Sequence, residues 1–285
     1  MAEIKPFKTN DELIEQIKSR GLIINDTDKL KDFLERVNYY RLSAYFLTYV
    51  KDDQFYDGVS IDSIFDLYYF DYELRLILLK YIAEVEIYFR NAISYHLSQK
   101  YGSLCYIDTQ YFKDEINHTD FLNSFEERKS TSSEPFVKHH KDKYNGVFPL
   151  WVAIQIITFG TLSKLYDNLL KEDQDAIARM RYGKKGDLIT RWLKSVSDLR
   201  NLCAHWGRLY NRPMSPIKLS RKDYPEEFVD RDRAFAYMIA LFNLLPTKSS
   251  RQNFRDDLKI LFDNNHTVEL KYLGCNGYWY EYMFI

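Results

Sequence analysis

Apolar positions along this chain recur mostly at three-and-four spacing, the period of helices that bury one face. Asn10 precedes a polar–apolar stretch that reaches Ile17, and Gly21 follows it, which predicts a capped helix of about three turns. Over 27–50 the residues Leu30, Phe33, Leu34, Val37 and Tyr40 keep the same period and predict a second helix, until Asp53, Asp57 and Gly58 break it. Ser60 is placed to cap a long third helix over 61–100, with Phe65, Leu67, Tyr68, Leu74, Ile77, Leu78, Tyr81 and Val85 as its apolar face and Gly102 closing it. Residues 101–118 mix turn and aromatic signals and read as irregular, and 126–133 reads as an exposed loop or a helix end. Pro149 opens another apolar helix over 150–170, with Gly160 as the place for a bend. Shorter helices follow at 172–182, 187–211, 228–245 and 248–263. The tail from Asn264 has the weakest pattern and leaves room for a small hairpin at the C-terminus. The expectation is an all-α helical bundle with one continuous core. It reads as a single domain over 1–285, with 1–58 as an N-terminal extension, 60–263 as the core and 264–285 as a tail.

Composition narrows this picture. A chain of 285 residues is long enough for one large or two small domains with a real core. Its 24 Tyr and 19 Phe supply the apolar volume, and with only 10 Gly, 7 Pro and little two-residue alternation a sandwich or barrel is disfavoured. Cys105, Cys203 and Cys275 lie far apart without C-x-x-C spacing and read as reduced thiols of a cytosolic protein, not as a zinc site. The polar start, 1–9, carries no secretory signal pattern. The most apolar stretches, 147–158 and 234–245, fall short of the roughly 20 residues of a membrane span. A cytoplasmic protein without membrane partners is expected. No Gly-rich phosphate loop suggests a nucleotide cofactor, so neither cofactor nor metal is expected.

Net charge is −1, so no global field draws a polyanion. Locally the balance is different. Between Arg179 and Lys222 twelve cations, among them Lys184, Lys185, Arg191, Lys194, Arg200, Arg208 and Arg212, face only Asp187 and Asp198. Such an excess is the footprint of a phosphate-backbone binder; a solvated cationic face without a partner is the plainer reading.

The chemistry-bearing stretch lies inside this window: Arg200-Asn201-Leu202-Cys203-Ala204-His205, then Arg208, Asn211 and Arg212. If the helix runs through it, Asn201, His205, Arg208 and Arg212 form one polar stripe within about 60°, and Arg200 reaches it from the side. Histidine exchanges protons near neutral pH and arginine grips phosphate in two-toothed fashion, which together suffice to cleave RNA without a metal. Taken alone the spacing is weak, since a buried, hydrogen-bonded histidine beside surface arginines matches it as well. A second pattern, Arg90-Asn91 to His96, lies on a more apolar helix where Glu86 can pair with Arg90, and a structural role is favoured there.

These residues resemble the Abi-2 abortive-infection family (AbiD/AbiF-like), a branch of the HEPN superfamily. The motif at 200–212 is similar, and so, in order, are Lys5-Pro6-Phe7, Asn38-Tyr39-Tyr40-Arg41-Leu42-Ser43-Ala44-Tyr45, Phe70-Asp71-Tyr72-Glu73-Leu74-Arg75, Arg90-Asn91 to His96, Pro149-Leu150-Trp151 and Phe159-Gly160-Thr161-Leu162-Ser163. Relatives often carry a second histidine and a tryptophan where this chain has Trp206 and Tyr210. The resemblance implies a HEPN-like helical bundle with additional helices and a metal-independent endoribonuclease whose cleft forms between two HEPN units. It also implies a phage-defence toxin held in check by an antitoxin, in similar systems a small structured RNA. On that reading His205 is the general acid–base, Arg200 neutralises the phosphoryl oxygens and Asn201 orients the imidazole or the phosphate. Arg208, Asn211, Arg212, Arg191, Lys194, Lys184 and Lys185 then bind RNA, and a homodimer pairs two His205 side chains. Two rivals are a non-catalytic RNA-binding module and a helical interaction protein that senses a phage component.

Overall fold

A computed structural model of the chain describes residues 6–219, 224–225 and 227–283. Its first part is helix α1 (Asn10–Ser19), α2 (Thr27–Arg36), α3 (Tyr39–Ser43) and a hairpin of β1 (Val50–Lys51) and β2 (Gln54–Phe55). The long α4 (Ile61–Tyr101) follows, then α5 (Glu115–Thr131), α6 (Pro135–Lys143), α7 (Leu150–Ile156), α8 (Phe159–Asn168), α9 (Lys171–Tyr182) and α10 (Gly186–Ala204). After an extended segment come α11 (Ala234–Leu244), α12 (Lys248–Asn264) and the single turn α13 (Trp279–Tyr282).

Local chemistry accounts for most boundaries. Thr9, rather than Asn10, caps α1, forming a reciprocal capping box with Glu12. The periodic run 27–50 divides because Val37 turns extended and Asn38 starts α3 afresh, its side chain accepting the Tyr40 N–H. Ser60 caps α4 as its sequence predicts, and Gly102 ends it at φ +94°. Thr158 interrupts the expected 150–170 helix by capping α8, so a bend at Gly160 becomes two helices. The stretch read as loop or helix end at 126–133 falls mainly in the last turns of α5.

The strand pair also lies elsewhere than expected. Between β1 and β2, Asp52 and Asp53 both take left-handed backbone (φ +50° and +64°), as a two-residue hairpin turn requires. The C-terminal tail instead forms a 3-10 turn over Leu270–Leu273, one bridge from Val229 to Cys275 and α13. Its aromatics serve packing, as when the Trp279 ring meets Phe262 edge-on.

Two helices organise the core. α4, roughly 60 Å long, packs against α7, α8, α9, α10, α11 and α12. α10 lies on α8, α9, α11 and α4 and buries Ile189, Trp192, Leu193, Val196, Leu199 and Cys203 at helical spacing. α11 is buried all round except at Asn243, the pattern of a helix enclosed by others. Buried apolar residues from Ile14 to Met283 form one contiguous cluster. No helix among the described residues is long and apolar enough to cross a membrane.

Candidate functional site

The site stands where α10 stops. Apolar spacing continues past Ala204 through Trp206 and Leu209, but the helix does not, so the polar stripe expected over 201–212 is not a helix face. His205 is the C-cap, and Trp206 takes left-handed backbone at φ +56°. The Trp206 N–H donates to the Cys203 carbonyl (3.0 Å) and the Gly207 N–H to the Leu202 carbonyl (2.8 Å). That pair of bonds is a Schellman closure, with tryptophan at the position glycine usually fills. A Cβ at Gly207 would lie 2.1 Å from Leu202 Cδ1 and 3.1 Å from the Leu202 carbonyl, so the turn admits no side chain there without a shift.

Arg200, Asn201 and His205 gather at this terminus. Asn201 and His205 are exposed and Arg200 half-buried, with the Arg200 guanidinium 3.4 Å from Asn201 Oδ1. Arg208 is half-buried and Arg212 exposed beyond the turn. Asn211 serves the backbone: it holds φ +50°, its N–H donates to the Tyr272 carbonyl (2.9 Å), and its Oδ1 lies 3.5 Å from Arg233.

What fixes the turn is a buried polar cluster on α4. Asp71 and Arg75, one helical turn apart and both fully buried, form an ion pair. Tyr45 donates its hydroxyl to Asp71 (2.7 Å), and the N–H groups of Leu209 and Tyr210 donate to the same carboxylate at 3.1 and 2.9 Å. Arg75 reaches the Gly207 carbonyl (3.3 Å), and Arg41 donates to the Trp206 carbonyl. The backbone of 206–210 is thereby tied at four points to two arginines and a carboxylate, with every oxygen of Asp71 occupied. Burial pulls the Arg75 guanidinium down, yet Asp71 and Tyr45 outweigh it and hold it above its ordinary value. Burial, with Asp71 beside it, pushes the Tyr45 hydroxyl well up, so it remains a donor. Residue spacing at 200–212 gave no sign of this support. The available signal was an Asp–Arg pair at i, i+4 inside the apolar face of α4.

The cationic window divides. Lys194 pairs with Asp198 (2.7 Å) and Arg179 with Asp175 (3.8 Å), and Lys184 lies over the Trp192 ring. Arg221 and Lys222 lie outside the described residues. Among the described residues no carboxylate pairs with Arg191, Arg200, Arg208 or Arg212. Burial lowers the Arg208 guanidinium, and the neighbouring charges of Arg212 and Arg233 lower it further against Tyr45 and Asp71. Arg233 has a carboxylate of its own, Asp232 at 3.8 Å.

A groove of about 920 Å³ runs beside α10, lined among others by Arg191, Lys194, Ser197, Asn201, Lys113 and Lys164, and equally by Asp114, Asp167, Asp187 and Asp198. It brings Arg191, Lys194 and Asn201 together on a surface of mixed charge. Lys184 and Lys185 sit at the opposite end of α10, roughly 30 Å from His205.

Arg90, Asn91 and His96 do not join this site. Arg90 pairs with Glu86 (2.6 Å) and donates to the Ile157 carbonyl (2.8 Å). The His96 ring lies 2.8 Å from the buried Asp173, which Lys100 and Tyr101 also bind. Burial raises the Asp173 carboxyl, and these three partners bring it below its ordinary value. Asn91 is exposed. His96 stands 25 positions beyond Asp71 on α4, roughly 37 Å away. Among the described residues no three His, Cys, Asp or Glu side chains gather into a set that could hold a metal ion.

No curated protein matches this chain, and no solved structure does. A family model does match, over residues 32–211, which takes in Arg41, Tyr45, Asp71, Arg75 and the turn they hold, and ends at Asn211. The matched span and the polar cluster coincide, and the chain belongs to the Abi-like protein family of abortive infection.

Proposed function

We propose that this chain is the toxin of a phage-defence system, a HEPN-type endoribonuclease that cleaves RNA without a metal and is restrained by an antitoxin such as a small structured RNA. The observation that carries the reading is the end of α10. An exposed histidine, an asparagine and an arginine share one helix terminus beside Arg208 and Arg212, which pair with no carboxylate among the described residues, on a backbone fixed from beneath.

RNA carries its own nucleophile. In this mechanism His205 takes the proton of the ribose 2′-hydroxyl. The 2′-oxygen forms a bond to phosphorus, and the bond to the 5′-oxygen breaks, leaving a 2′,3′-cyclic phosphate. Arg200 and Arg208 face the charge growing on the non-bridging oxygens, and Asn201 orients imidazole or phosphate. The leaving 5′-oxygen needs a proton, and one imidazole cannot supply it in the same step. His205 of a second copy would, so the active form is a homodimer.

One observation favours a second reading, an RNA-binding protein that breaks no bond: among the described residues no orienting group hydrogen-bonds the His205 side chain. Induction in a bacterial host separates the two. The ribonuclease predicts growth arrest with new RNA ends for wild type and neither for His205→Ala. Arrest without new ends, or the same ends from both proteins, would refute it.

A further inference from the structure

Beside His205 the surface carries something the acid–base chemistry does not use. The Trp206 indole stacks on Tyr72, with ring centroids 5.2 Å apart and planes within 11°. Trp206 and Tyr72 are exposed as residues, at 40% and 38%. Trp206 holds left-handed backbone at φ +56°, and its carbonyl accepts from Arg41. The guanidinium of buried Arg75 lies 5.9 Å from the indole centroid, and its Nε and Nη2 find no hydrogen-bond partner among the described residues. Tyr72 stands on α4 between the buried face of Asp71 and Arg75 and the solvent face, and exposed Tyr69 precedes it by about one turn. The pair is thus fixed in position, adjacent in sequence to His205, and two residues from Arg208.

We propose that Tyr72 and Trp206 form a stacking platform for an unpaired RNA base, which makes the site selective for single-stranded RNA. Stacking needs an exposed π-face, and bases inside a duplex offer none. Arg208 and Arg212, beyond the turn, hold the backbone phosphate while the platform takes the neighbouring base. This rests on the RNA reading of the site but not on cleavage, so a protein that only binds RNA would show it equally. The platform is a binding element, and its role is to decide which RNA the arginines and His205 meet.

The test uses the His205→Ala protein, which leaves RNA intact, with a short oligouridylate and a duplex RNA of the same length as probes. Expected are tighter binding of the single strand, quenching of tryptophan fluorescence by it, and loss of about tenfold or more in its affinity on Trp206→Ala or Tyr72→Ala. Duplex affinity should stay unchanged in both variants. Trp206→Phe should keep the affinity but lose most of the quenching, which guards against a folding defect in the alanine variants. Equal loss for single strand and duplex, or no loss for either, would overturn the platform while leaving RNA binding in place. No binding of either RNA would overturn the platform and the proposed function together.

Discussion

Trp206 carries a conformation that side chains resist. Left-handed backbone costs a non-glycine residue about 1–2 kcal/mol, and such strain persists where surrounding contacts over-determine it, often at functional sites. Here those contacts are the Tyr72 ring, the Arg41 guanidinium on the carbonyl and Arg75 beside the indole. Trp206→Gly and Trp206→Ala lose the same ring, but only glycine relieves the backbone. Chemical denaturation should therefore find the glycine variant more stable than the alanine variant by about 1 kcal/mol; equal stabilities would show the turn is unstrained. Asp71 carries a larger load, because its removal leaves Arg75 charged, buried and unpaired. Asp71→Ala should cost about 3–5 kcal/mol by the same measurement, and a cost near zero would contradict its role as anchor.

At the scale of elements, the end of α10 explains why residues 201–212 carry a helical spacing without forming a helix face. Leu202, Trp206 and Leu209 keep a helical period, but Leu209 is buried from a turn. The stop signal was weak because tryptophan occupies the place where glycine normally announces it, and Gly207 follows one residue late. Gly207→Ala should lower Tm, at a cost of about 1–3 kcal/mol from the forced contact with Leu202, and an unchanged Tm would show that the turn has room. Capping chemistry was easier to read: Ser60 and Gly102 delimit α4 as their types suggest. The hairpin at 50–55 is hard to read from sequence because its turn is Asp52-Asp53 rather than a glycine pair, while the described part of the tail forms one bridge, Val229 to Cys275, and no hairpin. In the same way a strand signal in 264–285 became the packing of Trp279 on Phe262.

Across the whole molecule α4 is the spine, and it holds the motif at 90–96 apart from the one at 200–212. Asp71 and Arg75 support the His205 turn at one end, and His96 completes a buried cluster with Asp173 near the other. His96→Ala should lower stability by about 1–3 kcal/mol, leaving Asp173 short of a partner, while RNA cleavage per folded molecule stays at the wild-type rate; a selective loss of cleavage would place His96 in the reaction. The helical class and the core were legible because periodicity over long windows survives local errors. The residue types Arg200, Asn201 and His205 were legible, and they lie at the end of α10. Their support by Tyr45, Arg41 and Asp71 was not, because contacts between residues over a hundred positions apart leave no trace in local spacing. The central claim is that His205 transfers the proton in RNA cleavage. The most direct measurement incubates RNA with purified wild type and with His205→Ala of matched Tm, in the presence of a chelator, and maps the product ends. The account predicts 2′,3′-cyclic phosphate ends from wild type and a rate at least about a hundredfold lower from the variant. Equal rates and identical ends from the two proteins would contradict it.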